Sequence, residues 1–452
     1  MIDFKKVQSA YFVGIGGIGI SAIARMMLLE GKKVVGSDRS RSLITDELEK
    51  VGAKIFVGHN EDNIPKDCDL VIYTIAIPKE NPELIGAQSR GIPLLSYPEA
   101  LGIISKDKFT IAISGTHGKT TTTAMVGKMM IDAGLDPTVI VGSLMNDTRS
   151  NFIVGQSKYL VVESCEYHRS FLNIQPKIIV ITNIDNDHLD YYKDLADIQS
   201  AFLEFAVKLS SNDYLITDIQ HKNIKPILQN LKCKTVDYQS FGDIGPKLKL
   251  RVLGKHNIEN AKAAMAVAHV LGISEQIAVK SLNDFSGTWR RFEYKGKTKL
   301  GAHIYDDYGH HPTEIKATLR GAREHFVDQK IVAIFQPHLY SRTKLLLDEF
   351  ATSFNDADEL ILLPIYAARE AEDKEISSQI LAKAVTRQIS KSKNFKLKNV
   401  TVAHDQSEAI SLIPTEADII LTIGAGDVTN VSDVSPHTST PIINHASTFV
   451  IQ

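Results

Sequence analysis

The chain has 452 residues, which at roughly 150 residues per domain predicts about three domains. Its 43% hydrophobic and 23% charged content is ordinary for globular protein and excludes wholesale disorder. With 51 Lys and Arg against 53 Asp and Glu, the net charge of -2 offers no general attraction for nucleic acid or an anionic membrane.

In chain order, Val7–Val13 reads as a strand, Ser21–Glu30 as a helix and Lys33–Ser37 as a second strand, with more strands at Leu70–Thr74 and Pro93–Leu95. Such repeated β–α units predict a parallel sheet. The uncharged stretch Tyr11–Ala24, preceded by Lys5 and Lys6, imitates a signal peptide. Its glycines, the immediate Arg25 and its short length instead mark a buried strand entering a loop, with no membrane insertion. A second α/β set starts at Phe109–Ser114 and continues through strands Tyr159–Val162 and Ile178–Ile181. A third begins near Gly296, with strands at Lys330–Phe335, Glu359–Leu363 and Ile419–Ile423. The basic run Lys391–Lys398 reads as a solvated loop. The tail after Asp427, rich in Ser, Thr, Pro and His, is expected to add little to the core. Cys68, Cys165 and Cys233 are few and far apart, which suits a reducing cytoplasm without a disulfide framework.

Two loops carry chemistry. Gly14, Gly16, Gly17 and Gly19 form G-x-G-x-x-G between a strand and a helix, where backbone N–H groups can approach a diphosphate. Asp38 ends the next strand, where a carboxylate can meet a ribose hydroxyl. NAD or any other diphosphate nucleotide satisfies this geometry, and so does close helix–strand packing with no ligand. The second loop, Ser114-Gly115-Thr116-His117-Gly118-Lys119-Thr120, opens a helix that continues with Thr121. Its amides can cradle phosphates, Lys119 can neutralise β and γ groups, and Thr120 can hold Mg²⁺. It is a variant P-loop, since the usual first glycine falls at Ile113. Glu163 and His188 lie just past the ends of two later strands, where ligands of parallel sheets collect. Either can bind metal, and His188 could equally make a structural hydrogen bond.

Together these loops resemble those of the Mur ligases, ATP-dependent amide-forming enzymes of peptidoglycan synthesis. The likeness is carried by GIGGIGIS (Gly14–Ser21), GTHGKTTT (Gly115–Thr122), NIDNDHLD (Asn183–Asp190), GKHNIENA (Gly254–Ala261), GTWRRFE (Gly287–Glu293), DDYGHHPTEI (Asp306–Ile315), FQPHLYSRT (Phe335–Thr343) and GAGD (Gly424–Asp427). DDYGHHPTEI and FQPHLYSRT favour the alanine-adding branch. The resemblance implies an α/β protein of three domains: a UDP-sugar-binding Rossmann-like domain at 1–107, an ATP-binding P-loop domain at 108–292, and a Rossmann-like amino-acid-binding domain at 293–452. It implies joining of L-alanine to the carboxylate of UDP-N-acetylmuramate through an acyl phosphate, with ATP and Mg²⁺, in the cytoplasm.

The resemblance also distributes roles. Lys119, Glu163, His188, Arg290 and Arg291 become catalytic positions, and Thr120, Glu163 and His188 metal positions. Gly115, Thr116, His117, Gly118, Lys119, Thr120, Thr121, His256, Asn257, Asn260, Asp306 and His310 become nucleotide positions. Gly14, Gly16, Gly17, Gly19, Ser21, Asp38, Tyr308, His338 and Arg342 become substrate positions. Bland readings stand beside these: Asn260 as a helix cap, the two arginines as surface ion pairs, the histidines before Pro312 as a helix entrance. Four departures are visible, one being the tail beyond Asp427, which reads differently from the helical ending usual in relatives. Ser164-Cys165-Glu166-Tyr167-His168 replaces the acidic cluster that many relatives carry after the Glu163 position, Leu339 stands where an Arg is common, and Phe202 and Leu203 occupy the neighbourhood of a carbamylated lysine. No carbamylated lysine is expected. A nicotinamide dehydrogenase or a nucleotide switch leaves one of the two loops unused; a ligase adding a different amino acid or a peptide is the main competitor.

Overall fold

The structure, a computed structural model, describes residues 2–188, 191–368, 370–391 and 396–434. It forms two compact units, Met1–Arg251 with Asn257–Thr288, and Val252–His256 with Trp289–Gln452.

The first unit contains two sheets. β1 (Ser9–Val13), β2 (Lys33–Asp38), β3 (Lys54–Val57), β4 (Leu70–Tyr73) and β5 (Leu94–Ser96) run parallel in the order β3-β2-β1-β4-β5. The second sheet comprises β6 (Phe109–Ser114), β7 (Thr138–Met145), β8 (Ser150–Ile153), β9 (Tyr159–Glu163), β10 (Ile178–Ile181), β11 (Tyr214–Thr217) and β12 (Lys234–Asp237). Its order is β12-β11-β10-β6-β9-β7-β8, parallel except for the antiparallel β7–β8 hairpin. The other unit carries β13 (Glu293–Lys297), β14 (His303–Asp307), β15 (Ile331–Phe335), β16 (Glu359–Leu362), β17 (Asn399–Val402) and β18 (Ile419–Ile423) in the order β13-β14-β18-β15-β16-β17. Only β13–β14 is antiparallel there. The helices used below are α1 (Ile18–Leu29), α2 (Leu43–Lys50), α3 (Pro82–Ser89), α4 (Tyr97–Lys106), α5 (Lys119–Asp132), α6 (Leu195–Ala206), α7 (Lys255–Leu271), α8 (Glu275–Asp284) and α9 (Pro312–His325).

Covered parallel strands should be apolar on both faces, and they are. In β1, Ala10 and Phe12 join one apolar cluster while Tyr11 and Val13 join another. In β15, Ile331, Ala333 and Phe335 point to one cluster and Val332 and Ile334 to the other. Each sheet changes direction beside its central strand. β1 lies between β2 and β4, β6 between β10 and β9, and β18 between β14 and β15. The crevice past the carboxyl end of such a strand is where α/β sheets receive ligands. The two glycine loops follow β1 and β6, and GAGD follows β18.

The expected α/β, parallel-rich architecture is what forms, with three local corrections. The β7–β8 hairpin had no clear periodicity and was not expected. α7 starts at Lys255, so Asn260 lies inside the helix and cannot be its cap. Of the basic run, Lys391 ends a helix (Ser378–Lys391), Lys396 and Lys398 are exposed in irregular chain and Leu397 between them is buried in the core, while residues 392–395 fall outside the described ones. The start of the tail also belongs to the core, because Val428 and Val431 pack in the cluster of Ile420 and Ile334; residues 435–452 lie outside the described ones. All three cysteines are free thiols. Among the described residues no helix is long and apolar enough to cross a membrane.

Phe202 is fully buried on α6, its ring edge-on to Phe171 at 5.3 Å between centroids. Phe202→Ala is expected to destabilise the first unit by about 3–5 kcal/mol, read as a lower urea midpoint. A loss below about 1 kcal/mol would contradict this packing.

Candidate active site

The first glycine loop turns between β1 and α1. Gly14 has φ +77°, and a Cβ there would sit 2.5 Å from the Thr74 side chain, so only glycine fits. The amides of Gly14 and Ile15 donate to the Ser37 carbonyl, and Gly16 N–H donates to the Asp38 carboxylate at 2.7 Å. The other Asp38 oxygen accepts from Arg39 N–H. Asp38 therefore braces the loop from the end of β2. Beneath it Glu83, fully buried on α3, accepts from Tyr11, Ser37, Asn60 and Asn63 and pairs with His59 at 2.9 Å, tying β1, β2 and the segment after β3 into one frame. Gly17 caps α1 without a side-chain bond, which leaves that positive helix end available to an anion. Gly19 packs against the Tyr97 ring at the start of α4. Ser21 is fully buried; its hydroxyl donates to Ile18 O and accepts from Asn151, so it faces β8.

The second loop wraps the start of α5. Gly115 and Gly118 have φ +128° and +83°, and a Cβ on Gly118 would strike the Asn260 amide. Asn260, from α7, is thereby set against the P-loop, and its Nδ2 donates to Asn257 Oδ1 at 3.1 Å. Thr116 and Thr121 are buried in the loop and first turn, His117 N–H donates to Asn183 Oδ1, and His256 is exposed. The Lys119 ammonium donates to the Thr116 carbonyl at 3.0 Å and to Glu166 Oε1 at 2.9 Å. Burial alone would lower its pKa, but the adjoining Glu166 carboxylate prevails and raises it, so Lys119 carries its charge.

Glu163 ends β9 with both oxygens engaged. Thr120 Oγ1 donates to Oε1 at 3.1 Å, and Gly142 N–H on β7 donates to Oε2 at 2.7 Å. A Cβ on Gly142 would meet this carboxylate at 2.4 Å. A hydroxyl and a carboxylate at hydrogen-bond distance are the hard oxygen donors that Mg²⁺ prefers, so these residues fit that cation. His188 has φ +53°, a costly conformation for a non-glycine residue. Its Nε2 stands 3.6 Å from Glu166 Oε1, and its ring lies 4.7 Å from that of Tyr167. Glu166 is 2% exposed and its Oε2 has no hydrogen-bond partner among the described residues. Burial raises the Tyr97 pKa, and the Glu163 charge raises it further.

In the second unit, Arg290 is buried rather than surface-paired. Its Nε donates to Asp306 Oδ2 at 2.8 Å, and its other nitrogens donate to the Gly424 and Gly426 carbonyls. Asp306, fully buried, also accepts from Thr422 and Thr429. This pair locks the GAGD turn to β14. Arg291 is partly exposed, 3.8 Å from Glu314, with its guanidinium 5.5 Å from the Tyr308 ring. His310 Nδ1 lies 3.1 Å from Tyr308 O, and the His310 and His338 rings are 5.9 Å apart. Arg342 reaches His338 Nδ1 at 3.3 Å. Tyr308, His310, His338, Arg342 and Arg291 thus gather at the carboxyl ends of β14 and β15. His311, by contrast, is the N-cap of α9 in a capping box with Glu314, the bland reading for that half of the histidine pair. Leu339 is buried at φ +71°.

Comparison with known proteins agrees along the whole chain. Residues 9–109 match the model "Mur ligase family, catalytic domain", 113–249 the "Mur ligase middle domain" and 290–426 "Mur ligase, glutamate ligase domain". The UDP-N-acetylmuramate–L-alanine ligase of Clostridium kluyveri is 42% identical over 457 residues, covering 96% of this chain and 98% of the relative. The chain belongs to the Mur ligase family. A ligase of the same designation from Clostridium acetobutylicum is 42% identical, covering 95% and 97%. Among solved structures, UDP-N-acetylmuramate-alanine ligase MurC of Thermotoga maritima superposes with a TM-score of 0.77 at 28% identity, covering 95% of this chain and 98% of that one. A murein peptide ligase of Psychrobacter arcticus, at 21% identity and a TM-score of 0.68, shares the fold.

Within this Mur ligase, the residue that motif reading passed over is Glu166. It sat in the stretch noted only for lacking an acidic cluster, although a carboxylate three residues past Glu163 at a strand end was the available signal. The buried Arg290–Asp306 pair yields a direct test. Asp306→Ala leaves a buried guanidinium uncompensated and is expected to cost about 3–5 kcal/mol, measured by denaturant unfolding of the second unit. An unaltered midpoint would show that the pair does not hold the GAGD turn.

Proposed function

We propose that the chain is an ATP-dependent ligase that joins the amino group of L-alanine to the carboxylate of UDP-N-acetylmuramate in peptidoglycan precursor synthesis, releasing ADP and phosphate. The observation that carries this reading is 42% identity, end to end, with ligases of that designation. The P-loop geometry supports it independently. Residues 1–107 are read as the UDP-sugar domain, 108–292 as the ATP domain and 293–452 as the amino-acid domain, working in the cytoplasm.

The chemistry follows from charge. A carboxylate is a poor electrophile because both oxygens share its negative charge. Phosphoryl transfer from ATP turns one oxygen into a leaving group; the amine attacks the acyl phosphate, and phosphate departs to leave the amide. Two anions must first be brought together, and phosphoryl transfer depends mostly on positioning and electrostatics. The first loop, with Asp38 behind it, holds the UDP diphosphate on the α1 amides. The second loop holds ATP, with Lys119 exchanging Glu166 for the β and γ phosphates. Thr120 and Glu163 would hold Mg²⁺, joined by His188, and the cation would draw charge from the transferring phosphoryl group. Arg291, Tyr308, His310, His338 and Arg342 form the surface offered to the amino acid or nucleotide. Arg290 and Asp306 act beneath them as framework.

Phosphate release with ATP, Mg²⁺ and UDP-N-acetylmuramate is expected with L-alanine and to be weaker with glycine or L-serine. Turnover with a tripeptide but none with L-alanine would overturn the assignment. Lys119→Ala is expected to lower ATP turnover by roughly a thousandfold or more, while affinity for the UDP-sugar, measured by calorimetry, is retained. Glu163→Ala should shift the Mg²⁺ titration of activity to higher concentration; an unchanged titration would remove Glu163 from the cation site.

A further inference from the structure

The first glycine loop and Glu163 belong to different sheets of one compact unit, and the β7–β8 hairpin touches both. On the β7 side, Gly142 N–H holds Glu163 Oε2 at 2.7 Å. On the β8 side, Asn151 is fully buried and inserts its amide against the first turn of α1. Its Nδ2 donates to the Ile18 carbonyl and, at 3.0 Å, to Ser21 Oγ. The reverse orientation would set the amide oxygen against the Ile18 carbonyl, so the donor assignment follows from the geometry. At the hairpin turn, Asn146 is fastened in turn by the carbonyls of Gly287 at 3.2 Å and Ser286 at 3.1 Å.

Local stability does not call for this amide. Ile18 O already accepts from Ser21 Oγ at 2.9 Å, and Asn151 Oδ1 is buried with no hydrogen-bond partner among the described residues. An orphaned buried acceptor is destabilising, whereas an apolar side chain of the same shape would be close to neutral. What the amide adds is a fixed position. It is directed at the helix turn whose amides would hold the diphosphate, and it comes from the hairpin that holds the cation-site carboxylate.

We propose that Asn151 is a positioning residue: it sets the first glycine loop at a fixed distance from Glu163, so that the carboxylate of a UDP-sugar held by α1 stands in line with the phosphoryl group held at the second loop. This inference rests on the ligase reading above. A displacement of about 1 Å at the reacting centre can cost up to a hundredfold in rate without loss of binding.

The test uses Asn151→Leu, which keeps the shape, and Asn151→Asp, which replaces the donor by an acceptor. For both, kcat for amide formation is expected to fall at least tenfold. The KM for ATP and the calorimetric affinity for UDP should each stay within about threefold of the parent, and the Leu variant should keep its thermal midpoint. Amide hydrogen exchange at Gly14–Ser21, which needs no turnover, should accelerate in both variants. Unchanged kcat and exchange would overturn the proposal. So would a parallel loss of UDP affinity, which would make Asn151 a ligand contact, or an unfolded Leu variant, which would make it a stability element. A parent chain that binds UDP but forms no amide would sink the ligase reading instead, and the exchange measurement would still decide the role of Asn151.

Discussion

The Glu163 carboxylate, accepting from Thr120 on one oxygen and from Gly142 on the other, is the interaction on which the arrangement of the first unit turns. It joins the end of β9, the first turn of α5 and the middle of β7. Each connection restricts the sequence around it. β7 must offer a bare backbone amide, because a Cβ at Gly142 would overlap the carboxylate. α5 must begin with a hydroxyl immediately after the lysine. β9 must stop where it does, so that Glu163, its backbone still paired with Ile113 of β6, ends the strand with its carboxylate free to reach the neighbouring segments.

A second restriction follows from bringing acidic groups together. Glu163 and Glu166 lie three residues apart, and Glu166 is buried with its charge set against Lys119. Burying a carboxylate is tolerable only when a partner is held close, and burying an ammonium carries the mirror-image penalty. Each charge therefore makes the other's burial possible. The raised pKa of Lys119 is the signature of that exchange, since the Glu166 attraction exceeds the desolvation of the lysine. A polyphosphate entering the loop would take the place of Glu166 as the anionic partner. Glu166 is 2% exposed with its Oε1 3.6 Å from His188 Nε2, and its Oε2, without a hydrogen-bond partner among the described residues, is then available to a cation that accompanies the phosphates.

What the sequence made legible was local. β6 and β18 span Phe109–Ser114 and Ile419–Ile423, the ranges that apolar runs predict, because a covered parallel strand is hydrophobic on both faces. Both glycine loops were legible because positive φ and close backbone approach admit only glycine at Gly14, Gly115 and Gly118. Contacts between distant segments were not legible. The β7–β8 hairpin contains Ser, Asn, Asp, Thr and Arg around its turn and shows no clean alternation, since its pairing is settled by tertiary contacts at Asn146 and Asn151. Arg290 reads as a surface cation until its partners, 16 to 136 residues away, are known. Ser21 reads as part of a ligand loop, yet its place in the first turn of α1 turns it toward Asn151 of β8, a fact set by helix phase rather than motif. His188 and Glu163 could be placed past strand ends by pattern, whereas Glu166 could not, because its importance arises from a lysine 47 residues earlier.

The two loops also explain each other. Both end a central strand, both rely on glycine, and both open a helix whose cap makes no side-chain bond. Yet the first passes from Gly17 to Ile18 and Gly19 with no cation, while the second passes from Gly118 to Lys119 and Thr120. A diphosphate that is only held needs amides and a helix dipole, which supply a constant partial charge. A triphosphate whose terminal group migrates needs charge aimed where charge develops, since only interactions strengthened in the transition state accelerate a reaction. The lysine is thus found at the loop where bonds would change and is absent from the loop that serves as an anchor. This asymmetry is compatible with a net charge of only -2 in a chain whose proposed ligands are polyanions: the anchoring phosphate contacts fall to uncharged backbone, and the second loop adds a single lysine.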